Sequence, residues 1–290
     1  MIAQSFQYES PGTLAEAIAL LNEHGDEAKV LSGGHSLIPM LKLRFATPAI
    51  LVDINKIPGL SDIKKDVDGT INIGALVRES QLEYSDLLAK HFPIFKDVTK
   101  LIADPQVRNM GTLGGNLAHG DAANDHPAVM IALRASVVIT SAEGERVVPI
   151  DEFFFGFYMT AVQQGEILTE IRLPIPSQKT GNAYHKLERK VGDYATAGVA
   201  VQITLDDAGV VTAAGIGLTN VNPVPLRASR SEEALIGKPL TDETIALAAQ
   251  YASEDCSPSS DLRGSEEYKR HVTGVLVKRM IKKAAERAMA

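Results

Sequence analysis

The chain has 290 residues and a single cysteine, Cys256. One thiol cannot close an internal disulfide, and it cannot supply the ligands of a four-thiolate zinc site or a cysteine-ligated iron–sulfur cluster. The fold must therefore be held by a hydrophobic core, and at about 150 residues per domain two domains are expected. Any cysteine-ligated centre has to belong to another chain.

Composition and charge narrow the functional classes. Hydrophobic residues make up 45% and charged residues 22%, which is typical of a globular chain. The net charge of −7 has the wrong sign for a protein that coats phosphate backbones, so nucleic acid is not an expected partner. The N-terminus lacks a secretory signal and no apolar run could span a bilayer, which predicts a cytoplasmic location.

Residue periodicity predicts helices mixed with mainly antiparallel strands. Thr13 and Glu16 have the spacing of a helix capping box, ahead of an apolar face that ends before Gly25. Strands are predicted at 29–31 and 50–54, hairpins around 68–73 and 136–150, a helix at 92–102, and a glycine-rich turn at 111–116.

Pro174 and Pro176 interrupt the pattern and predict a linker. Beyond it the sequence predicts three strands at 183–189, 199–205 and 210–218, and helices at 241–253 and 265–288. The last helix is basic, and its charges either face solvent or dock a partner subunit.

Several catalytic motifs are absent. There is no P-loop, no nucleophile elbow and no H-E-x-x-H helix, and the stretch from Gly215 to Asn220 lacks the third glycine of a dinucleotide-binding turn. No catalytic residue is predicted in this chain.

Two diglycine segments remain: Ser32, Gly33, Gly34, His35 and Ser36, and Thr112, Leu113, Gly114, Gly115 and Asn116. Glycine lets backbone N–H groups approach a phosphate, and neighbouring hydroxyl and amide side chains add donors. Each segment alone is also compatible with an ordinary tight turn. Together they suggest a site for two linked phosphates.

Residues 119–126 contain two histidines and two aspartates. Their spacing fits no common zinc pattern, so we predict no metal, and they could instead cap the helix expected near Pro127. Asp125 is a candidate to bind a ribose hydroxyl or an adenine amine.

Lys186 and Tyr194 flank a charged turn, which is either a solvated surface hairpin or part of a binding site. In the second interpretation Lys186 offers a cation to a ring or phosphate, and Tyr194 lies against a flat cofactor. The aromatic run 153–158 is interpreted as core or subunit interface.

Taken in order, these motifs resemble the FAD-binding medium subunits of molybdenum hydroxylases, most closely those of aerobic carbon monoxide dehydrogenases. The resemblance covers nearly the whole chain. Its parts are residues 28–39, 102–109, 112–116, 124–128, 166–171 and 186–195.

The resemblance implies an α+β fold. An FAD-binding domain of the vanillyl-alcohol-oxidase (PCMH) type at 1–177 would have two subdomains, at about 1–55 and 56–177. A smaller domain at 178–290 would contain a three-stranded antiparallel sheet and helices.

The resemblance also implies roles for the candidate residues. The two diglycine segments would hold the pyrophosphate of a non-covalent FAD. Their glycines would leave room for it, and His35 and Asn116 would donate hydrogen bonds to it. Asp125 would lie at the adenosine end, Lys186 and Tyr194 beside the flavin, and Ile102 and Leu168 would form apolar walls.

The implied function is electron transfer in a heterotrimer, as an oxidoreductase subunit. A large subunit would carry the molybdenum cofactor and a small subunit the iron–sulfur clusters, with electrons passing through this flavin to an acceptor such as a quinone. A dimer of heterotrimers and a peripheral contact with a membrane or quinone are further expectations. The alternatives are a free-standing FAD-dependent oxidoreductase with its own substrate, and a scaffold without cofactor.

Overall fold

The N-terminal part of the chain is a small parallel sheet, in a computed structural model that describes residues 2–290. Its strands are β1 (Gln7–Glu9), β2 (Ala28–Leu31) and β3 (Ile50–Asp53), in the order β1-β3-β2. Helices α1 (Leu14–His24) and α2 (Leu37–Leu43) lie between the strands. The predicted capping box is confirmed, since the Thr13 hydroxyl accepts from the Glu16 N–H and the Glu16 carboxylate accepts from the Thr13 N–H.

The second part is a five-stranded antiparallel sheet in the order β4-β5-β10-β6-β7. Both predicted hairpins are confirmed, and the inward-facing Ile71 and Ile73 are fully buried. The strands are β4 (Ile63–Lys65), β5 (Thr70–Gly74), β6 (Ser136–Ser141), β7 (Gly144–Pro149) and β10 (Ile167–Pro174), with a separate hairpin of β8 (Phe154–Gly156) and β9 (Met159–Thr160).

Six short helices lie between β5 and β6: α3 (Glu79–Tyr84), α4 (Asp86–His91), α5 (Ile94–Thr99), α6 (Pro105–Arg108), α7 (Leu113–His119) and α8 (Asp125–Ala132). The prediction of a turn at 111–116 is wrong, because α7 begins inside it. Every residue of α8 is buried, since this helix packs against the third sheet as well as the core of the second part.

The third part contains the strands β11 (Thr180–Leu187), β12 (Ala197–Leu205), β13 (Val211–Thr219) and β14 (Leu226–Arg227), all antiparallel and in sequential order. The three predicted strands are confirmed, and the two-residue β14 adds a fourth. Helices α9 (Ser229–Leu235), α10 (Asp242–Asp255) and α11 (Glu266–Met289) follow. A Cβ at Gly215 or Gly217 would collide with carbonyl oxygens of α8. These two glycines therefore allow β13 to pack closely against α8.

The predicted α+β fold is confirmed. Three apolar cores support it, and the largest also takes in Tyr184 and Ala200 from the third sheet. Within residues 2–290, no helix is long and apolar enough to cross a membrane. Several basic side chains of α11 are paired: Arg287 and Lys283 bind Asp97 of α5, and Lys282 binds Asp242. This helix therefore joins the second part of the fold to the third.

Candidate functional site

A cavity of about 830 Å³ takes its walls from all three parts of the fold. This volume lies within the range of about 300–1,000 Å³ that is usual for ligand pockets. All of the predicted site residues except one line it: Ser32, Gly33, Gly34, His35, Ser36, Ile102, Thr112, Gly114, Gly115, Asn116, Asp125, Leu168, Lys186 and Tyr194. The exception is Leu113, whose side chain is buried in the core and whose N–H donates to the Val77 carbonyl.

The first glycine segment, residues 32–36, connects β2 to α2 along the cavity wall. Gly34 has a φ of 74°, in the left-handed region where glycine is favoured. The N–H groups of residues 33–36 have no protein acceptor among residues 2–290. A run of unpaired backbone donors at the wall of a cavity is suited to binding an anion.

The second glycine segment is the first turn of α7 rather than a free loop. Thr112 is the N-cap, and its hydroxyl accepts from the Gly115 N–H at 3.1 Å. The N–H of Gly114 donates to the Ala75 carbonyl at 3.0 Å. The Asn116 side-chain oxygen is buried without a hydrogen-bond partner among residues 2–290, and Asn116 lines the cavity, so this oxygen is available to a ligand donor.

The two segments lie side by side. The Ser32 and Thr112 hydroxyl oxygens are 3.2 Å apart and hydrogen bonded to each other. The Asn55 amide donates to the Ser32 carbonyl at 2.8 Å and accepts from the Arg78 guanidinium at 2.6 Å, while Arg78 also donates to the Met110 carbonyl. The tertiary structure thus holds both segments at one wall of the cavity.

The glycines give room chiefly to protein atoms. A Cβ on Gly33 would lie closer than 3.0 Å to the Met110 carbonyl oxygen, and a Cβ on Gly114 would lie 2.7 Å from the Ala75 carbonyl oxygen. A Cβ on Gly115 would lie 2.8 Å from the Ser32 hydroxyl. These glycines therefore permit close packing of protein atoms, and the expectation that they also leave room for a cofactor stays a prediction.

A buried charge cluster forms another wall. The Lys186 ammonium donates to Asp125 at 2.8 Å and to the Asp193 carbonyl at 2.9 Å, and the Tyr184 hydroxyl also donates to Asp125. Burial raises the pKa of Asp125, and the neighbouring Lys186 opposes that shift. The interpretation of Lys186 as part of a solvated surface hairpin is wrong, since its side chain is 1% exposed.

Aromatic side chains complete this part of the cavity. Tyr194 lines the cavity and stays 43% exposed, and burial raises the pKa of its hydroxyl. Sequence reasoning missed Tyr158, which also lines the cavity and whose ring centroid is 4.8 Å from that of His119. Burial lowers the pKa of His119, so its imidazole is neutral at neutral pH. The aromatic run is split, with Phe153 in the core and Tyr158 at the cavity.

The acidic and histidine residues of 119–126 do not converge. His126 is fully buried and lies 2.6 Å from the Glu79 carboxylate, while Asp125 binds Lys186. In the part of the chain from residue 2 onward, no group of three or more His, Cys, Asp or Glu side chains could hold a metal ion.

Comparison with known families decides the class of protein. Residues 4–176 match the family described as the FAD binding domain in molybdopterin dehydrogenase, and residues 182–284 match the CO dehydrogenase flavoprotein C-terminal domain. The chain belongs to the FAD-binding family of molybdopterin dehydrogenases.

Individual relatives span nearly the whole chain. The chain is 46% identical over 284 residues to the carbon monoxide dehydrogenase medium chain of Hydrogenophaga pseudoflava, and the match covers 98% of each protein. It is 38% identical over 284 residues to the 6-hydroxypseudooxynicotine dehydrogenase complex subunit alpha of Paenarthrobacter nicotinovorans, covering 98% of this chain and 96% of the relative. A solved structure of the Hydrogenophaga enzyme, lacking the Mo-pyranopterin moiety, superposes with a TM-score of 0.96 at 48% identity and covers 99% of each chain.

The residues present fit the FAD of this family. Unpaired N–H groups at 33–36, the hydroxyls of Ser32 and Thr112 and the unpartnered Asn116 oxygen lie along one cavity. These groups match the donors and acceptors of a dinucleotide, while Ile102 and Leu168 add apolar wall.

Asp125 and Lys186 cannot mark opposite ends of an extended FAD, as the family resemblance implied. Their side chains are 2.8 Å apart in one buried ion pair, so they belong to the same end of the site. Asp125 already accepts hydrogen bonds from Lys186 and Tyr184. This correction depends on a contact between residues 61 positions apart in sequence.

Proposed function

We propose that the chain is the FAD-carrying medium subunit of a heterotrimeric molybdenum hydroxylase of the carbon monoxide dehydrogenase type. It would receive electrons from an iron–sulfur subunit and pass them to an external acceptor such as a quinone. The observation that carries the proposal is the pair of glycine segments, bridged by Ser32 and Thr112 along one cavity. The 46% identity to a carbon monoxide dehydrogenase medium chain favours that enzyme type.

The cysteine count supports an electron donor outside the chain. The one thiol, Cys256, is buried and donates to the Ala252 carbonyl, so it is not placed to bind a cluster. FAD supplies the two-electron and one-electron chemistry when it is bound. This chain's own residues then bind the pyrophosphate, hold the ring and shield one side of it from water.

Most of the predicted site residues have a part in the proposal. Ser32 to Ser36 bind the pyrophosphate, and Thr112 to Asn116 bind the cofactor beside it, without a direct contact from Leu113. Lys186 presents a buried cation to the ring, and Tyr194 forms an aromatic wall. Ile102 and Leu168 form the apolar walls.

The assembly and domain limits are also proposals. We place the FAD-binding domain at 1–177 and the C-terminal domain at 178–290, supported by the irregular segment between β10 and β11. The partners would be one large and one small subunit, in a cytoplasmic dimer of heterotrimers with a contact to a membrane or quinone.

The proposal is tested by expressing the chain with and without both partner subunits. We expect carbon monoxide to bleach the flavin absorbance only in the three-subunit complex. Dithionite should bleach FAD in the isolated chain as well, which controls for a competent flavin. Bound FAD that carbon monoxide never reduces in the complex would contradict the proposed enzyme type.

A second candidate is a free-standing FAD-dependent oxidoreductase. His119 favours it, because a neutral imidazole at the cavity wall could act as a general base on a small substrate. Rapid reduction of FAD by a small organic substrate in the isolated chain, abolished by His119→Ala, would support this candidate over the first.

A further inference from the structure

Tyr194 is contacted by the loop between α10 and α11. The Arg263 guanidinium lies over the Tyr194 ring, with its central carbon 5.6 Å from the ring centroid. The same guanidinium donates to the Asp193 carboxylate at 3.0 Å, and that carboxylate accepts from the Tyr194 N–H at 2.8 Å. Arg263 therefore contacts Tyr194 in two ways, through the ring face and through Asp193.

The loop that carries Arg263 is itself anchored. The Arg263 N–H donates to Asp261 at 2.7 Å, and Asp261 accepts from the Lys269 ammonium at 2.8 Å. Lys269 is 1% exposed and also donates to the Ser259 carbonyl. A buried lysine on the long helix α11 thus fixes the turn from which Arg263 reaches Tyr194.

A second arginine binds the same carboxylate but not the ring. Arg189 donates to Asp193 at 3.1 Å, and its side chain is 48% exposed. The Arg263 side chain is 25% exposed, and its Nε is buried with no partner among residues 2–290. Desolvation strengthens the attraction of a cation to an aromatic face, so the Arg263 contact is the stronger constraint on Tyr194.

We propose that Arg263 is a positioning residue of the FAD site. By occupying one face of the Tyr194 ring, it leaves the opposite face for the flat ring of the cofactor. This inference rests on the proposed function, because it concerns the same cavity. Arg263 does not line the cavity, so it acts through Tyr194 and not by touching FAD.

The test compares full-length variants loaded with FAD. Arg263→Gln removes the cation, Arg189→Gln is the matched control at the same carboxylate, and Tyr194→Leu removes the ring. The readouts are the dissociation constant of FAD and the quenching of its fluorescence, which a stacked tyrosine produces. Circular dichroism and thermal melting confirm that each variant is folded.

We expect Arg263→Gln to weaken FAD binding about tenfold and to restore part of the flavin fluorescence, while Arg189→Gln changes the dissociation constant less than about threefold. In the Tyr194→Leu background, the effect of Arg263→Gln should be much smaller, because the contact with the ring is gone and only the contact through Asp193 remains. If Arg263→Gln fails to fold, Arg263→Lys serves in the same cycle, since lysine keeps the charge but lacks the planar guanidinium.

Equal effects of Arg263→Gln and Arg189→Gln, or an undiminished effect of Arg263→Gln in the Tyr194→Leu background, would overturn the inference. A wild-type chain that does not bind FAD at all would instead contradict the proposed function. The two failures are therefore distinguishable.

Discussion

The close contact between α7 and Ala75, in the turn that follows β5, predicts that Gly114→Ala will impair the site. A Cβ at this position would lie 2.7 Å from both the Cα and the carbonyl oxygen of Ala75. The nearest atom is the Ala75 Cβ, at 2.5 Å. Ordinary carbon contacts are about 3.5 Å, so the first turn of α7 must move by about 1 Å, because neither the backbone nor the Cβ of Ala75 can rotate away.

The energetic cost follows from two opposing effects. Overpacking of this kind costs about 1–3 kcal/mol, and alanine in place of glycine in a helix returns about 1 kcal/mol. We therefore expect the free energy of unfolding to fall by up to about 2 kcal/mol. The displacement carries Thr112 and Asn116 out of position, so FAD binding should weaken about tenfold or more.

Urea unfolding and a fluorescence titration with FAD measure the two effects separately. Gly12→Ala is the control, because its Cβ would lie 3.8 Å from the nearest atom and its φ is not positive. It should leave stability within about 0.5 kcal/mol and FAD affinity unchanged. Wild-type FAD affinity in Gly114→Ala would show that this contact does not position the site.

Three further predictions concern buried charges and the thiol. Lys186→Met should destabilise the chain by about 3–5 kcal/mol, because it leaves the Asp125 carboxylate unpaired. Adding Asp125→Asn should recover part of that loss, as measured by chemical denaturation. A double variant no more stable than Lys186→Met would contradict the prediction. Burial alone would raise the pKa of Asp97, but hydrogen bonds from Arg287 and Lys283 outweigh it and hold the pKa below its ordinary value. The stability that this lowered pKa contributes is present above the unfolded-state pKa and is lost as the pH falls through the lower folded-state pKa. Lowering the pH should therefore reduce the free energy of unfolding of the wild type more than that of Asp97→Asn. Equal reductions in the two proteins would disprove this prediction. Burial raises the pKa of Cys256 to about 11, so a thiol reagent at about pH 8 should label it only in denaturant, whereas fast labelling of the native chain would be inconsistent with its burial.

Local sequence signals predicted most of the fold. The capping box of Thr13, the hairpin strand with Ile71 and Ile73, and the three long strands of the last sheet are each encoded within a few neighbouring residues. Helix α7 was missed because Gly114 and Gly115 have poor helix propensity, and the packing of Gly114 on Ala75, far away in sequence, decides the conformation there.

The site was predicted as a set of residues but not as a geometry. The diglycine segments were recognisable because glycine and hydroxyl residues cluster locally. The pairing of Asp125 with Lys186 and the contact of Arg263 with Tyr194 join distant parts of the chain, so nothing in the local pattern reveals them. Tyr158 was missed for another reason: it lies within an aromatic run that otherwise resembles core, and only the tertiary structure brings it to the cavity.

The most direct test of the account is a titration of the cofactor-free full-length chain with FAD, repeated in the presence of ADP or adenosine. We predict that one FAD binds per chain. ADP should displace it, because ADP carries the linked phosphates that the glycine segments bind, and adenosine should not. FAD binding that ADP cannot displace, or no binding in either the isolated chain or the assembled complex, would contradict the central claim.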